Sequence, residues 1–262
     1  MSVVTLDGEI IHYEVLGRGR PLIFLHGWVG SWRYWVPTMQ AASILYRAYA
    51  MDLWGFGDSA KRPQKYGLAT QVALLNQFME ELGIAKIALI GHGLGAVVAL
   101  SFAAQYPQYV DRLMVTSLPL GLGSINPRLR SSAVVELAEW LLGRLPGADA
   151  ARSEAPKADP QSVITSIDGL QGMNTLDIAR SLPTPCLMVY GLNDQAIQHP
   201  LSDTLAELPD QTHYITFEQS GHFPMLDDPT KYNRLLNDFL SLGQGESPRQ
   251  LQLKEEWKRR VR

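Results

Sequence analysis

A chain of 262 residues, 46% hydrophobic and 19% charged, is long enough for one large domain with a substantial core. Its formal net charge of −3 gives no electrostatic reason to bind nucleic acid or an anionic membrane. The single cysteine, Cys186, excludes an intramolecular disulfide, and no basic leader or long apolar run opens the chain, so the expectation is a soluble cytoplasmic protein without a membrane span.

In chain order, residues 9–15 read as a strand, turned by Gly17-Arg18-Gly19-Arg20-Pro21. Residues 22–25 are a wholly apolar strand, the pattern of a strand covered on both faces, ending in His26-Gly27-Trp28-Val29-Gly30-Ser31. Residues 33–42 read as a helix. Residues 46–51 form the next strand and run into Asp52-Leu53-Trp54-Gly55-Phe56-Gly57-Asp58-Ser59. Helical spacing of Val72, Leu75, Phe78, Met79 and Leu82 predicts a helix over 68–82, stopped at Gly83. A strand over 86–90 then turns sharply through Gly91-His92-Gly93-Leu94-Gly95 into a helix closed by Pro107, and 113–116 is another strand. Such alternation implies a mostly parallel sheet with helices on both faces. It breaks over 121–182, which holds an amphipathic helix at about 131–144, Ala/Pro/Gly/Asp-rich and mobile material at 145–160, and two short helical pieces. Strands at 185–190 and 213–217 resume the sheet, leading to Asp194 and to Gly221-His222-Phe223-Pro224, and 229–241 is a closing helix. The division is a core of 1–120 and 183–243, an insertion of 121–182, and a basic tail of 244–262. In that tail Trp257 stands among Lys254, Lys258, Arg259, Arg260 and Arg262, too short a stretch to anchor the chain and read as a surface helix.

The sharp strand-to-helix turn projects Gly93 at its tip. Gly91-x-Gly93-x-x-Ala96 also satisfies the dinucleotide-binding pattern, but Asp111 precedes the following strand instead of ending it, and earlier strands precede the motif, so no cofactor is expected. The six histidines, 12, 26, 92, 199, 213 and 222, show no metal-ligand spacing, and no metal is expected. Cys186 lies in an apolar strand and reads as a structural thiol.

Over residues 9–242 these pieces resemble the α/β-hydrolase family. His26-Gly27 is similar to its oxyanion turn, residues 52–59 to its D-x-x-G-x-G-x-S stretch, and residues 91–95 to its G-x-S-x-G nucleophile elbow with glycine replacing serine; Asp194 and His222 follow in the family's order. The resemblance implies the α/β-hydrolase fold, with 121–182 as a small helical cap. It implies His222 as general base and acid, Asp194 as its orienting partner, and the main-chain N–H groups of Trp28 and Leu94 as oxyanion donors. His26, Trp32, Trp54 and Ser117 are the candidate ligand-contacting residues, with Ser117 also weighed as a relocated nucleophile against an ordinary loop serine. His26 and His92 read as supports for their loops more than as catalytic groups.

Gly93 puts acyl-enzyme chemistry in doubt, because glycine cannot attack. Three readings stay open: a catalyst in which His222 activates water or abstracts a proton from a small apolar carbonyl compound, a module that binds such a ligand without cleaving it, and an accessory protein whose cap or tail contacts a partner. The expected partner is a small molecule in the first two.

Overall fold

The computed structural model describes residues 2–253, apart from 144, 146, 207 and 244. The strands are β1 (Ser2–Leu6), β2 (Glu9–Leu16), β3 (Arg20–Leu25), β4 (Tyr46–Met51), β5 (Ile87–His92), β6 (Val110–Thr116), β7 (Cys186–Gly191) and β8 (Thr212–Phe217). They form one sheet in the order β1-β2-β4-β3-β5-β6-β7-β8. The β1–β2 and β2–β4 pairs are antiparallel, and the remaining pairs are parallel. β1 is absent from the sequence reading. It is a short edge strand joined to β2 by Asp7-Gly8, both at positive φ (52° and 78°), as a tight hairpin turn requires.

The helices are α1 (Val36–Ala42), α2 (Leu68–Glu81), α3 (Leu94–Gln105), α4 (Arg128–Ser131), α5 (Val134–Leu142), α6 (Asp149–Glu154), α7 (Pro160–Asp168), α8 (Thr175–Ser181), α9 (Ser202–Ala206), α10 (Pro224–Asp227) and α11 (Pro229–Leu240). They lie on both faces of the sheet. Tyr49 of β4 packs on Phe78 of α2, whereas Phe24 of β3, in register with the next residue of β4, packs on Trp35 just before α1. Successive strand residues point to opposite faces, so α2 and α1 lie on opposite sides. Trp35 also meets Tyr232 of α11. β3, β5 and β7 are therefore buried on both faces, which explains their unbroken apolar runs. α3 is buried nearly all round between the sheet, α2 and α8.

The excursion between β6 and β7 corrects one expectation. The helix read at about 131–144 is α5; the short α4 before it, separated by Ser132-Ala133, is absent from the sequence reading. The segment read as mobile, 145–160, contains α6 and a 3-10 turn at Ala155–Lys157, with Ala148, Ala151 and Ala155 fully buried. Small side chains there let the helix pack closely; they do not signal disorder. The tail from Lys254 to Arg262 lies outside the described residues.

Candidate active site

The C-terminal ends of β3, β5, β6, β7 and β8 converge, as expected for a binding crevice on a parallel sheet. β5 passes through Gly93 straight into α3. Gly93 has φ 52° and ψ −111°, a backbone that side-chain-bearing residues adopt only under strain. A Cβ on Gly91 would strike the Gly95 carbonyl, and one on Gly95 would strike the carbonyl of Leu25. Glycine at these positions lets α3 begin against β3 and β5. The turn is pinned by Gly93 N–H donating to Thr116 O at the end of β6 (3.0 Å) and by Gly95 N–H donating to His26 O (3.0 Å).

His222 follows β8 and Asp194 follows β7. Their side chains meet, with Nδ1 of His222 2.9 Å from Oδ2 of Asp194, and both are buried. The carboxylate can only accept, so Nδ1 carries the proton and Nε2 keeps its lone pair. Asp194 also accepts from the N–H groups of Ala196 (2.8 Å) and Ile197 (3.0 Å). Burial opposes its charge, but the His222 imidazole, and after it the Ile197 N–H, outweigh burial and hold its carboxyl below the ordinary carboxylate value.

His92 lies beside this pair, its ring 4.6 Å from that of His222. Its Nε2 reaches the His222 carbonyl (2.8 Å) and its Nδ1 reaches the Tyr34 hydroxyl (2.8 Å), which accepts from Gly27 N–H (2.7 Å). The His222 carbonyl can only accept, from Nε2–H, and the Tyr34 hydroxyl donates to Nδ1, so His92 is held as the neutral Nε2–H form. Burial first, and the neighbouring His222 second, push its pKa well below the ordinary value. His92 thus ties the His222 loop to the Gly27 turn through Tyr34, a residue no motif singled out.

Trp28 follows Gly27. A Cβ on Gly93 would lie 3.3 Å from Cε3 of the Trp28 indole and 3.4 Å from Cα of Gly27. The indole is fully buried and donates from Nε1 to Oγ of Ser166 on α7 (2.9 Å). Among the described residues, the main-chain N–H groups of Trp28 and Leu94 have no protein acceptor. Ser166 was out of reach of sequence reasoning, since it lies 138 positions from the residue it touches.

The other candidates take different places. His26 is fully buried; its Nδ1 donates to Gly27 O (2.8 Å) and its Nε2 accepts from Leu53 N–H (3.0 Å). Both ring nitrogens are spent on main chain, so His26 braces two loops and offers nothing to a ligand, which corrects the ligand-contacting expectation. Trp54 is also buried: its main chain is clamped by Gln71 and its ring lies under Lys65 Nζ at 4.5 Å. Trp32 is half-buried between His12 and the Arg33 guanidinium. Ser117, fully buried at the end of β6, does stand at the pair, with Oγ 3.3 Å from the His222 carbonyl.

Among the described residues, His12, Asp52 and Asp58 offer atoms close enough together to hold a metal ion. Sequence spacing could not reveal them, because they join β2 to a loop 40 positions on. The three side chains are already engaged with one another and with their neighbours: His12 Nδ1 bonds Asp52 (3.1 Å), Asp52 accepts from the N–H groups of Trp32 and Asp58, and the Asp58 carboxylate pairs with Lys157 (3.0 Å). The group reads as a loop clasp.

The profile of the Alpha/beta hydrolase family matches residues 22–235, most of the chain. The chain belongs to the α/β-hydrolase family. Among curated proteins similar to this chain, the pimeloyl-[acyl-carrier protein] methyl ester esterase of Vibrio campbellii is 24% identical over 253 residues, covering 87% of this chain and 98% of its own. The meta-cleavage product hydrolase of Pseudomonas fluorescens superposes with a TM-score of 0.79 at 23% identity, covering 92% of this chain and 97% of its own. The enol-lactonase of Burkholderia xenovorans superposes with a TM-score of 0.80 at 18% identity, covering 92% and 100%. These two structures share the fold of this chain.

Proposed function

We propose that this α/β-hydrolase works without a serine nucleophile: Gly93 stands at the nucleophile position, and His222, oriented by Asp194, activates water against a small, largely apolar carbonyl compound. The pair's geometry carries the reading. The 2.9 Å contact leaves Nε2 of His222 as a base, and His222 together with the Ile197 N–H favours the ionised form of Asp194. As a water oxygen bonds to the carbonyl carbon, its proton passes to Nε2; as the bond to the leaving alcohol breaks, the imidazolium returns that proton. The N–H groups of Trp28 and Leu94 are the oxyanion donors, and being main chain they need no serine. Residues 121–182 are the cap. The curated relatives' names make a methyl ester on an acyl chain the first substrate class to try. Proton abstraction from an acidic carbonyl compound would use the same base.

Removing one triad member from a serine protease leaves about 10³–10⁴-fold acceleration over water, so activity would be slow unless substrate and water are well placed. The Trp28 indole over Gly93 favours a second reading, a non-catalytic ligand-binding or accessory protein, because it occupies room that a reacting group would need. A panel of methyl esters, activated esters, thioesters and lactones separates the two with the unaltered chain, His222→Ala and Gly93→Ser. Turnover by the unaltered chain that disappears in His222→Ala supports the enzyme. No turnover, together with a ligand that raises the melting temperature, supports the binding module.

A further inference from the structure

Both main-chain groups of Gly27 are taken by side chains. Its carbonyl receives Nδ1–H of His26 (2.8 Å), and its N–H donates to the Tyr34 hydroxyl (2.7 Å). The Trp28 N–H belongs to the same peptide unit as the Gly27 carbonyl, and in a trans peptide the two point in opposite directions. Holding Gly27 therefore aims the Trp28 N–H. A hydroxyl has one proton to give, and Tyr34 gives it to Nδ1 of His92 (2.8 Å), whose Nε2–H donates to the His222 carbonyl (2.8 Å). The three bonds run in one direction, from the Gly27-Trp28 turn to the His222 loop. Packing supports the connection. A Cβ on Gly27 would lie 2.9 Å from Nδ1 of His92, and the Phe223 ring centroid lies 5.5 Å from that of Tyr34 and 4.8 Å from that of His92. Tyr34, His92 and Phe223 are all buried.

We infer that Tyr34 is a positioning residue: its hydroxyl, relayed through His92, sets the Trp28 N–H and the His222 loop at one fixed spacing, so that oxyanion donor and base address the same carbonyl. The assignment rests on the reading of Trp28 N–H as an oxyanion donor and of His222 as the base. It gives a reason for burying a tyrosine hydroxyl between a main-chain N–H and an imidazole. A phenylalanine would fill the same space and leave both groups without that partner. His26 does not join the two loops, because its second nitrogen is spent on Leu53 N–H (3.0 Å). Hydrogen bonds weaken steeply as donors tilt away, so a small drift of the Gly27-Trp28 peptide is enough to matter.

The positioning can be tested without turnover, on the full chain, with two probes of equal length. One is the monoanion of methyl pentylphosphonate, a tetrahedral mimic of a water adduct; the other is pentyl methyl ketone, a neutral carbonyl that cannot be hydrolysed. Calorimetry gives both affinities for the unaltered chain, Tyr34→Phe, His92→Leu and the double variant. The unaltered chain should bind the phosphonate more tightly than the ketone. Each single variant should weaken the phosphonate by about tenfold, the scale of one hydrogen bond to a charged group, and leave the ketone within about twofold. A pocket that had merely collapsed would weaken both probes alike. The double variant should lose no more than either single one, because both break the same relay. If Tyr34→Phe does not fold, His92→Leu supplies the comparison. Equal loss of both probes, additive losses, or a phosphonate held no more tightly than the ketone by the unaltered chain would each overturn the assignment. Selective loss of the phosphonate, in a chain that turns over no ester, would refute the enzyme reading alone. Turnover with affinities unchanged in the variants would refute the positioning alone.

Discussion

At the scale of single residues, the site is a set of buried groups whose protonation is dictated by partners. His92 and His26 are each neutral because burial disfavours their charge, and in His92 the adjacent His222 adds to the effect. Folded, both titrate below the ordinary histidine value; unfolded, they return to it. The unfolded chain therefore takes up protons first as pH falls, and stability drops through that window. His12 has the opposite sign: burial opposes its charge, but Asp52 and Glu14 outweigh burial and raise its pKa. Its contribution is complete below the unfolded value and is lost as pH rises through the folded one. Urea midpoints measured from about pH 7 to about pH 5 should fall for the unaltered chain and fall less for His92→Asn, because three histidines, His26, His92 and the partly buried His213, are shifted downward and one, His12, upward. Equal slopes in the two proteins would show that His92 does not carry the effect.

At the scale of elements, the helical excursion is held over the strand ends by buried polar contacts. Glu154 of α6 accepts from Ser31 Oγ (3.1 Å), Arg33 Nε (2.9 Å) and Lys157 Nζ (3.1 Å) with its side chain only 4% exposed. Tyr66 donates to Asp159 (2.6 Å), and Asp159 N–H donates to Gly55 O (2.8 Å). Glu154→Ala strands the buried Ser31 hydroxyl, while Arg33 and Lys157 still reach water. The expected loss is about 1–3 kcal/mol, most of it from the buried groups. Amide exchange should accelerate over 149–168 and not in β5 or β7; uniform acceleration would mean that the excursion and the sheet open together. None of this was legible in the sequence. The wholly apolar strands β3, β5 and β7, the elbow and the order of Asp194 and His222 were, because burial on both faces and tight turns each leave a local pattern. Tyr34, Ser166 and Glu154 act on partners distant in sequence, or through a neighbour with no motif, and leave none. The alanine-rich segment misled because composition does not distinguish a loose loop from a helix packed by small residues.

At the scale of the whole molecule, the sheet, the helices on its two faces and the excursion over the strand ends bring together loops from five strands, and each delivers one part of the site. β3 brings the Gly27-Trp28 turn, β5 brings Gly93, β6 brings Ser117, β7 brings Asp194 and β8 brings His222. Among the described residues no helix is long and apolar enough to cross a membrane, and Cys186, buried in β7 with its thiol pushed up to about 12 by burial, is no substitute nucleophile. In the proposed reaction, His222 drives attack by water with no covalent intermediate. The most direct test is intact-protein mass spectrometry on acid-quenched samples taken during turnover of an activated short-chain ester. Product formation should require His222 while the unaltered chain stays at its own mass, and Gly93→Ser should gain an acyl mass. An acyl adduct on the unaltered chain, or product formation equal in His222→Ala, would contradict the proposed reaction.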